Sequence, residues 1–239
     1  MKIFPFLSRL HRKARYIIMV KVNLWEVVCI CMETEMLTIF DESGSAIGVA
    51  TRDEVHNKGY WHQTFQCYVV GKENHEEYMY LQLRSHLKKD FANVYDITAA
   101  GHILSNETVA DGVREVNEEL GLNVTYDQLN SLGMLPNVIE TETIKDHELS
   151  HVFLYEMTEP METFILQPEE VSGMAKARLY DFISFYNGDS DHLEIEGYKQ
   201  DSSGGKTWFK ETISKDRFVP HSKQYFVSVA EAICSNRKA

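Results

Sequence analysis

The sequence predicts one main domain of the α+β class, with a β-sheet and a small number of helices. Segments rich in aromatic and β-branched residues alternate with two or three segments of helical periodicity. The composition is that of a globular protein, because 44% of the 239 residues are hydrophobic and 25% are charged. A chain of this length buries roughly 70% of its unfolded surface, which is enough for one full domain and an appendage.

The predicted strands and helices follow one another along the chain. The segments predicted to be extended are 36–40, 46–50, 61–70, 78–83, 93–100, 152–155 and 164–166. The segments predicted to be helical are 51–56, 109–120, 177–186 and 222–234. Residues 187–206 hold four glycines among Asp and Ser residues and are predicted to form a long loop. The last helix is expected either to pack on the same domain or to form a homodimer contact.

The first 31 residues differ from the rest of the chain in charge. They carry six basic residues and one acidic residue, whereas the whole chain has 24 Lys and Arg against 36 Asp and Glu, a net charge of −12. We therefore assign residues 1–31 to a basic N-terminal extension and residues 32–239 to the main domain. Three interpretations of the extension stay open: a disordered or loosely docked segment, a strand added to the domain, and a stretch upstream of a start at Met32 or Met36. A signal peptide is disfavoured, because charged residues interrupt the apolar run.

The overall charge and the cysteines exclude several classes of protein. An acidic chain disfavours binding to nucleic acid polymers, since such binding depends on Lys and Arg neutralising phosphates. No apolar run is long enough to cross a membrane. The four cysteines form no Cys-x-x-Cys pair and are too few for a disulfide framework, so we expect a cytoplasmic protein. A phosphate-bearing ligand would need a metal ion between itself and this acidic chain.

A cluster of carboxylates is predicted on one face of the helix over 109–120. Glu115, Glu118 and Glu119 are spaced i, i+3 and i+4, so they project within an arc of about 100°. The neighbouring face carries the apolar residues that would pack on the core. Oxygen ligands that converge from one helix suit Mg²⁺ or Mn²⁺. The alternative is a solvated acidic face without a metal.

Residues 101–122 carry a motif around this helix. Gly101 is followed after five residues by Glu107, and residues 114–122 then read Arg-Glu-Val-Asn-Glu-Glu-Leu-Gly-Leu. The segment resembles the Nudix box, the signature of the Nudix hydrolase superfamily, except that six residues separate Glu107 from Arg114 where the family has seven. Strict counting back from Arg114 would place Asn106 and Ala100 in the two upstream positions. We keep Gly101 and Glu107 there, because a loop absorbs a one-residue deletion more easily than a helix.

The resemblance implies a fold, an activity and a set of site residues. The fold is an α/β/α sandwich around a mixed β-sheet. The activity is metal-dependent cleavage of a diphosphate linkage in a small molecule, such as a nucleoside diphosphate derivative. The ligands of Mg²⁺ or Mn²⁺ would be Glu115, Glu118, Glu119 and the carbonyl group of Gly101. Glu115 is also the candidate base, and Arg114 would orient it together with Glu107.

Further candidate residues lie outside the box. Glu148 is the candidate for an additional metal-binding carboxylate from a later strand. Arg84 is the candidate for phosphate binding, together with Lys88 and Lys89. The alternative for all of them is solvated surface.

Three histidines and two acids resemble the metal site of isopentenyl diphosphate isomerases, a branch of the same superfamily that binds Mn²⁺ through such a set. The residues that carry this similarity are His56, His62, His102, Asp146 and Glu148. His62 and His102 are therefore candidates for the substrate-binding site. The isomerases have a catalytic cysteine where this chain has Ala100, and a methyl group does not replace a thiol in proton transfer. The main prediction is thus a diphosphate hydrolase, and the alternatives are an isomerase-like enzyme and a non-catalytic domain that binds a nucleotide ligand.

Overall fold

A large mixed β-sheet organises the chain. The computed structural model describes residues 15–23, 26–33 and 35–236. The strands are β1 (Arg15–Asn23), β2 (Glu26–Glu33), β3 (Met36–Phe40), β4 (Ala46–Thr51), β5 (Trp61–Glu73), β6 (Glu76–Arg84), β7 (Tyr95–Asp96), β8 (Ala99–His102), β9 (Asn130–Glu140), β10 (Lys145–Met157), β11 (Val171–Arg178), β12 (Leu193–Gln200) and β13 (Lys206–Ile213). The helices are α1 (Arg52–Lys58), α2 (Arg114–Leu120), α3 (Leu179–Asn187) and α4 (Lys223–Asn236).

The strands β3 to β13 form one sheet of eleven strands, whose main path runs β13-β12-β11-β6-β5-β10-β9. β5 and β10 pair in parallel, whereas the other pairs along this path are antiparallel. The short strands β8 and β7 pair with β5 and β6, and the hairpin β3–β4 joins the sheet through β5. β5 is therefore the strand on which the N-terminal hairpin, β8 and β10 converge.

Alternate residues of the central strands pack into two separate cores. On β5, Tyr68 and Val70 belong to one core, and Phe65, Cys67 and Val69 belong to the other. The first core includes buried side chains of α3 and α4, and the second includes those of α2. Successive side chains of a strand project to opposite faces, so the sheet lies between two layers of helices. The structure confirms the predicted α+β class with a mixed sheet.

The predicted loop over 187–206 is wrong, because it contains the strand β12. Leu193 and Ile195 of β12 are buried, in the alternation expected of a strand. A Cβ atom at Gly197 would lie 2.7 Å from Cα of Ala175 on the neighbouring strand. The glycine therefore marks a close approach of two strands and not a turn.

Several further segments differ from the prediction, and the strands β9, β11 and β13 lie outside the segments predicted to be extended. β9 was not predicted, because Gly133 and Pro136 interrupt its pattern; it lies at the end of the main strand path, where a proline is tolerated. Residues 164–166, predicted as a strand, instead cover the end of α2: the N–H of Ile165 donates to the carbonyl of Leu120. The predicted helix over 109–120 is α-helical only in its second half, after a 3₁₀ segment at Val109–Val113.

The two ends of the chain differ in how they relate to the sheet. β1 and β2 pair antiparallel with each other in a separate two-stranded sheet, while residues 1–14, 24–25 and 34 lie outside the described part. The assignment of residues 1–31 to an extension stays a prediction. α4 buries Tyr225, Val229 and Ile233 in the core shared with α3, so it packs on its own domain. No helix of the described chain is long and apolar enough to cross a bilayer.

Candidate active site

One large cleft opens beside α2. It has a volume of about 1190 Å³ and is bordered by α2, β8, the start of β10 and residues 84–91. Its lining contains more carboxylates than Lys or Arg side chains. An anionic ligand therefore needs cations beside it in this cleft.

Gly101 brings the backbone of β8 against the first turn of α2. A Cβ atom at this position would lie 2.8 Å from Cγ of Glu115 and would overlap the carboxylate itself. Glu115 and Glu119, one turn apart, are both buried, whereas Glu118 is exposed at the mouth of the cleft. Two carboxylates thus lie beside the backbone of β8, where the dielectric is low.

Arg114 links the loop after β8 to the glutamates of α2. Its Nε and Nη2 atoms donate to the two carboxylate oxygens of Glu107 at 2.8 and 3.1 Å, a bidentate pair. Nη2 also donates to the carbonyl of His102 at 3.0 Å, and Nη1 contacts Glu115 and lies 3.6 Å from Glu118. The guanidinium group therefore fixes the side chain of Glu115 at the wall of the cleft.

Glu119 is the least solvated carboxylate of α2. It accepts hydrogen bonds from the backbone N–H of Ala100 at 3.3 Å and from Nε2 of Gln82 at 3.4 Å. Burial and the nearby charges of Glu115 and Glu170 raise the pKa of Glu119 well above its usual value, although Lys88 opposes them. A proton or a metal cation removes the cost of this buried negative charge.

Three histidines meet at the other end of the cleft. His56 comes from α1, His62 from the start of β5 and His102 from the end of β8, and their ring centroids are 5.2–5.3 Å apart. Nδ1 of His62 faces the carbonyl of Tyr60 at 3.1 Å, so Nδ1 carries the proton and Nε2 keeps its lone pair. Nδ1 of His102 is likewise held, at 3.0 Å from a carboxylate oxygen of Glu35.

Buried polar atoms at this cluster have no hydrogen-bond partner among the described residues. They are Nε2 of His56, Nε2 of His62 and Oδ1 of Asp146. The Asp146 oxygen lies 3.5 Å from Nε2 of His56 and 3.4 Å from Nε2 of His62. Burial lowers the pKa of His56 to about 4 and that of His62 to about 3, which keeps both rings neutral. Neutral imidazoles with free lone pairs around a carboxylate fit a divalent transition metal.

Two sets of possible metal ligands share His62. One is His56, His62 and His102, and the other is His62, Asp146 and Glu148; within each set the ligand atoms lie within 4.8 Å of one another. Burial and the charge of Asp146 raise the pKa of Glu148 well above its usual value. Within residues 35–236, the glutamates of α2 are not brought together in this way; Arg114 contacts Glu115 and lies near Glu118.

The model of the NUDIX domain matches residues 60–192, which is more than half of the chain. The chain belongs to the Nudix family.

The chain is also similar to individual proteins and to a solved structure. An uncharacterised Nudix hydrolase of Clostridium acetobutylicum is 36% identical over 202 residues, which cover 84% of this chain and 98% of that protein. An isopentenyl-diphosphate Δ-isomerase of Aliivibrio fischeri is 33% identical over 142 residues, covering 58% of this chain and 77% of the isomerase. The solved structure of DR0079 from Deinococcus radiodurans aligns with a TM-score of 0.46 and 20% identity, covering 63% of this chain and 87% of that one.

The cleft of this Nudix protein brings together most of the residues predicted from sequence. The predicted site residues that line it are Gly101, Arg114, Glu115, Glu118, Glu119, Glu148, Arg84 and His102. Glu107 lies behind Arg114, and His62 is fully buried behind the wall. Their roles as ligands or catalysts stay predictions.

Arg84 is more constrained than its predicted phosphate-binding role requires. Its guanidinium donates to Asp96 at 2.9 Å and to the carbonyls of Phe91 and Asp90 at 3.0 Å each. Lys88 contacts Glu170, and Lys89 lies exposed at 3.1 Å from Asp53. Counting the described residues alone, three of the five N–H groups of Arg84 are used within the protein, and two remain for a ligand.

Several polar residues of the cleft carry no sequence signal. Glu35 precedes the first strand of the sheet, and Glu170 follows a loop, and neither belongs to a spaced motif. His221 reaches the cleft from the segment before α4, outside the residues matched by the family model. In the sequence, Gln66 is an ordinary polar position of the predicted strand over 61–70, and Asn137 lies outside the predicted strands. Only the folded sheet places them beside Glu148.

Proposed function

We propose that this Nudix protein hydrolyses the diphosphate linkage of a small organic diphosphate, such as a nucleoside diphosphate derivative, with Mg²⁺ or Mn²⁺ as cofactor. The observation that carries the proposal is a pair of buried carboxylates at the wall of the cleft: Glu115 lies against Gly101, and Glu119 accepts from the N–H of Ala100. Buried like charges are costly unless a cation neutralises them. Membership of the Nudix hydrolase family supports the same reaction.

The chain's own groups have distinct parts in this reaction. Glu115, Glu118, Glu119 and the Gly101 carbonyl would hold the cation, which supplies charge neutralisation of the diphosphate and activation of water. Arg114 fixes Glu115 so that its carboxylate stays at the wall and accepts a proton there. The free N–H groups of Arg84, with the ammonium of Lys88, meet the phosphate oxygens from the facing side.

A hydrolysis panel tests the proposal. The full chain is incubated with nucleoside diphosphate derivatives and simple organic diphosphates, with Mg²⁺, with Mn²⁺ and with a chelator, and the products are identified by mass spectrometry. We expect metal-dependent cleavage, and we expect Glu119→Gln and Glu118→Gln each to lower kcat at least about a hundredfold. Glu231→Gln, on the exposed face of α4, is the matched control. Unchanged turnover in the two α2 variants would refute the assignment.

The histidine cluster favours a second candidate, an isomerase of allylic diphosphates. The supporting observation is the set of unpartnered ligand atoms at His56, His62 and Asp146, together with the similarity to isopentenyl-diphosphate Δ-isomerases. Ala100 argues against it, because it offers no group for proton transfer. Interconversion of isopentenyl and dimethylallyl diphosphate by the wild type would establish the isomerase. Turnover that appears only in Ala100→Cys would show that the cluster is isomerase-like and that the wild type is not.

The third interpretation, a non-catalytic nucleotide-binding domain, makes a different prediction. It expects tight binding of a ligand without metal and without turnover. Calorimetry of the same panel in chelator, next to the hydrolysis assay, separates it from the hydrolase.

A further inference from the structure

A buried polar network joins the C-terminal segment to Glu148. Oε2 of Glu148 accepts three hydrogen bonds: from Nδ2 of Asn137 at 2.7 Å, from Nε2 of Gln66 at 3.0 Å and from Oγ of Ser150 at 3.3 Å. Three donors on one oxygen leave Oε1 as the oxygen available to a cation. The orientation of the two amides therefore decides how the carboxylate faces the cleft.

The Asn137 amide is oriented by His221. Asp96 is paired with Arg84 at 2.9 Å, and its other oxygen lies 2.8 Å from Nε2 of His221. A carboxylate only accepts, so Nε2 carries the proton and Nδ1 of His221 is an acceptor. Nδ1 lies 3.0 Å from Nδ2 of Asn137, whose second N–H points to Glu148. Turning the amide over would place its oxygen against both an imidazole lone pair and a carboxylate.

The Gln66 amide is oriented by Tyr225. The hydroxyl of Tyr225 donates to Oε1 of Gln66, and it accepts in turn from the hydroxyl of Tyr68 at 3.4 Å. With its oxygen engaged, Gln66 can present only its NH₂ group to Glu148. Gln66, Tyr68 and Tyr225 are all buried, so water does not compete for these contacts.

His221 and Tyr225 come from one short segment that lies outside the residues matched by the family model. We propose that His221 and Tyr225 are positioning residues for Glu148: through Asn137 and Gln66 they hold Oε2 and leave Oε1 to a cation bound at the histidine cluster. Both nitrogens of His221 are engaged, which suits orientation and not proton transfer. The inference rests on the proposed function, because it takes Glu148 as a cation ligand.

Binding of Mn²⁺ to the full chain tests the proposal without substrate. Free Mn²⁺ is measured by electron paramagnetic resonance in the presence of excess Mg²⁺. The measurement is made for the wild type, His221→Phe and Tyr225→Phe. Both variants keep the aromatic ring, and Tyr225→Phe removes only the hydroxyl. We expect each to weaken Mn²⁺ binding about 10- to 100-fold, the usual effect of losing a group that orients a metal ligand. In a Glu148→Gln background the same substitutions should change the affinity less than twofold.

Matched controls separate positioning from packing. Tyr186→Phe removes a buried hydroxyl that has no hydrogen-bond partner among the described residues, and should leave Mn²⁺ binding unchanged. His151→Phe removes both ring nitrogens, of which the buried Nε2 has no such partner, and should also leave Mn²⁺ binding unchanged. His221→Asn keeps an acceptor near the position of Nδ1, whereas His221→Gln keeps a donor near that of Nε2. We expect His221→Asn to retain more affinity, because the acceptor orients Asn137. If His221→Phe unfolds, the comparison of His221→Asn with His221→Gln still tests whether His221 orients Asn137.

The outcomes distinguish this inference from the proposed function. An affinity within twofold of wild type in His221→Phe or Tyr225→Phe overturns the role of that residue. Equal losses with and without Glu148 assign the effect to general packing and overturn the inference as a whole. Hydrolysis is not read in this experiment, so a failed hydrolysis panel leaves the binding result intact.

Discussion

Single residues control the site through close approach as much as through charge. Gly101 is the clearest case, since the carboxylate of Glu115 occupies the space that any side chain at position 101 would fill. The guanidinium of Arg114 donates to the same carboxylate and fixes it there. The arrangement explains why a glycine and an arginine flank the glutamates in the motif.

Gly101→Ala is expected to displace Glu115. The added methyl group overlaps the carboxylate and lies 2.8 Å from Cγ, so the side chain must leave its place. We expect the free energy of unfolding to fall by about 1–3 kcal/mol, the usual cost of overpacking, and the Mg²⁺ concentration for half-maximal activity to rise. Denaturant unfolding and a Mg²⁺ titration of activity measure the two effects. Gly48→Ala is the control, because its methyl group would meet Ile39 at an ordinary 3.7 Å. Equal behaviour of the two variants would contradict the prediction.

Glu119→Gln is expected to stabilise the metal-free protein at neutral pH. Because the pKa of Glu119 is raised in the folded chain, the folded chain still holds this proton at pH values above the ordinary pKa of a glutamate, where the unfolded chain has released it. Stability is therefore fully present below that value and falls as pH rises, by up to about 1.4 kcal/mol for each pH unit spent between the two pKa values. Glu119→Gln has no such proton to release, so its stability does not fall with pH for this reason. Urea unfolding in chelator from pH 4 to pH 8 measures it, and exposed Glu159→Gln is the control. A wild-type profile parallel to that of Glu119→Gln would refute the prediction.

At the scale of elements, the sequence predicts regular segments well and irregular ones poorly. β5 is evident from its aromatic and β-branched residues, and α2 from its spacing and from Gly121 at its end. β12 and β9 are missed because glycine and proline, which usually signal turns, here serve close strand packing and a strand at the end of the path. The contacts of Asn137 and His221 depend on two strands and a loop meeting, which no local pattern encodes.

α1 is a short helix that carries His56, and the cap at its N-terminal end holds it in place. Oγ1 of Thr51 accepts from the N–H of Glu54 at 3.3 Å and caps the helix. Thr51→Val keeps the shape but removes the acceptor, and should lower the free energy of unfolding by about 1 kcal/mol and weaken Mn²⁺ binding. Thr51→Ser keeps the acceptor and should behave as the wild type. Chemical denaturation and Mn²⁺ titration check both variants, and a loss in Thr51→Ser equal to that in Thr51→Val would contradict a capping role.

At the scale of the whole molecule, the two candidate metal sites share one cleft but belong to different layers. The glutamates of α2 stand on the helix layer, whereas the histidines and Asp146 stand on β5, β8, β10 and α1. Gly101 and His102 are consecutive residues of β8, so this strand joins the two sites. A substitution at either site is therefore expected to alter metal binding at the other site through β8.

The histidine cluster should make the metal-free protein sensitive to acid. His62 has a pKa of about 3 in the folded chain, whereas the unfolded chain takes up a proton near pH 6.5. The neutral ring thus contributes stability that is present above pH 6.5 and is lost as pH falls, by up to about 1.4 kcal/mol per pH unit.

The variant His62→Asn tests this contribution, because it keeps a donor for the carbonyl of Tyr60 and removes the titration. The gap, which is the unfolding free energy of the wild type minus that of the variant, should therefore decrease from pH 7 to pH 4. Taking this difference cancels the opposite trend of Glu119 and Glu148, which both proteins share. Exposed His192→Asn is the matched control. A gap for His62→Asn that stays constant from pH 7 to pH 4 would mean that folding does not lower the pKa of His62, and would contradict the prediction.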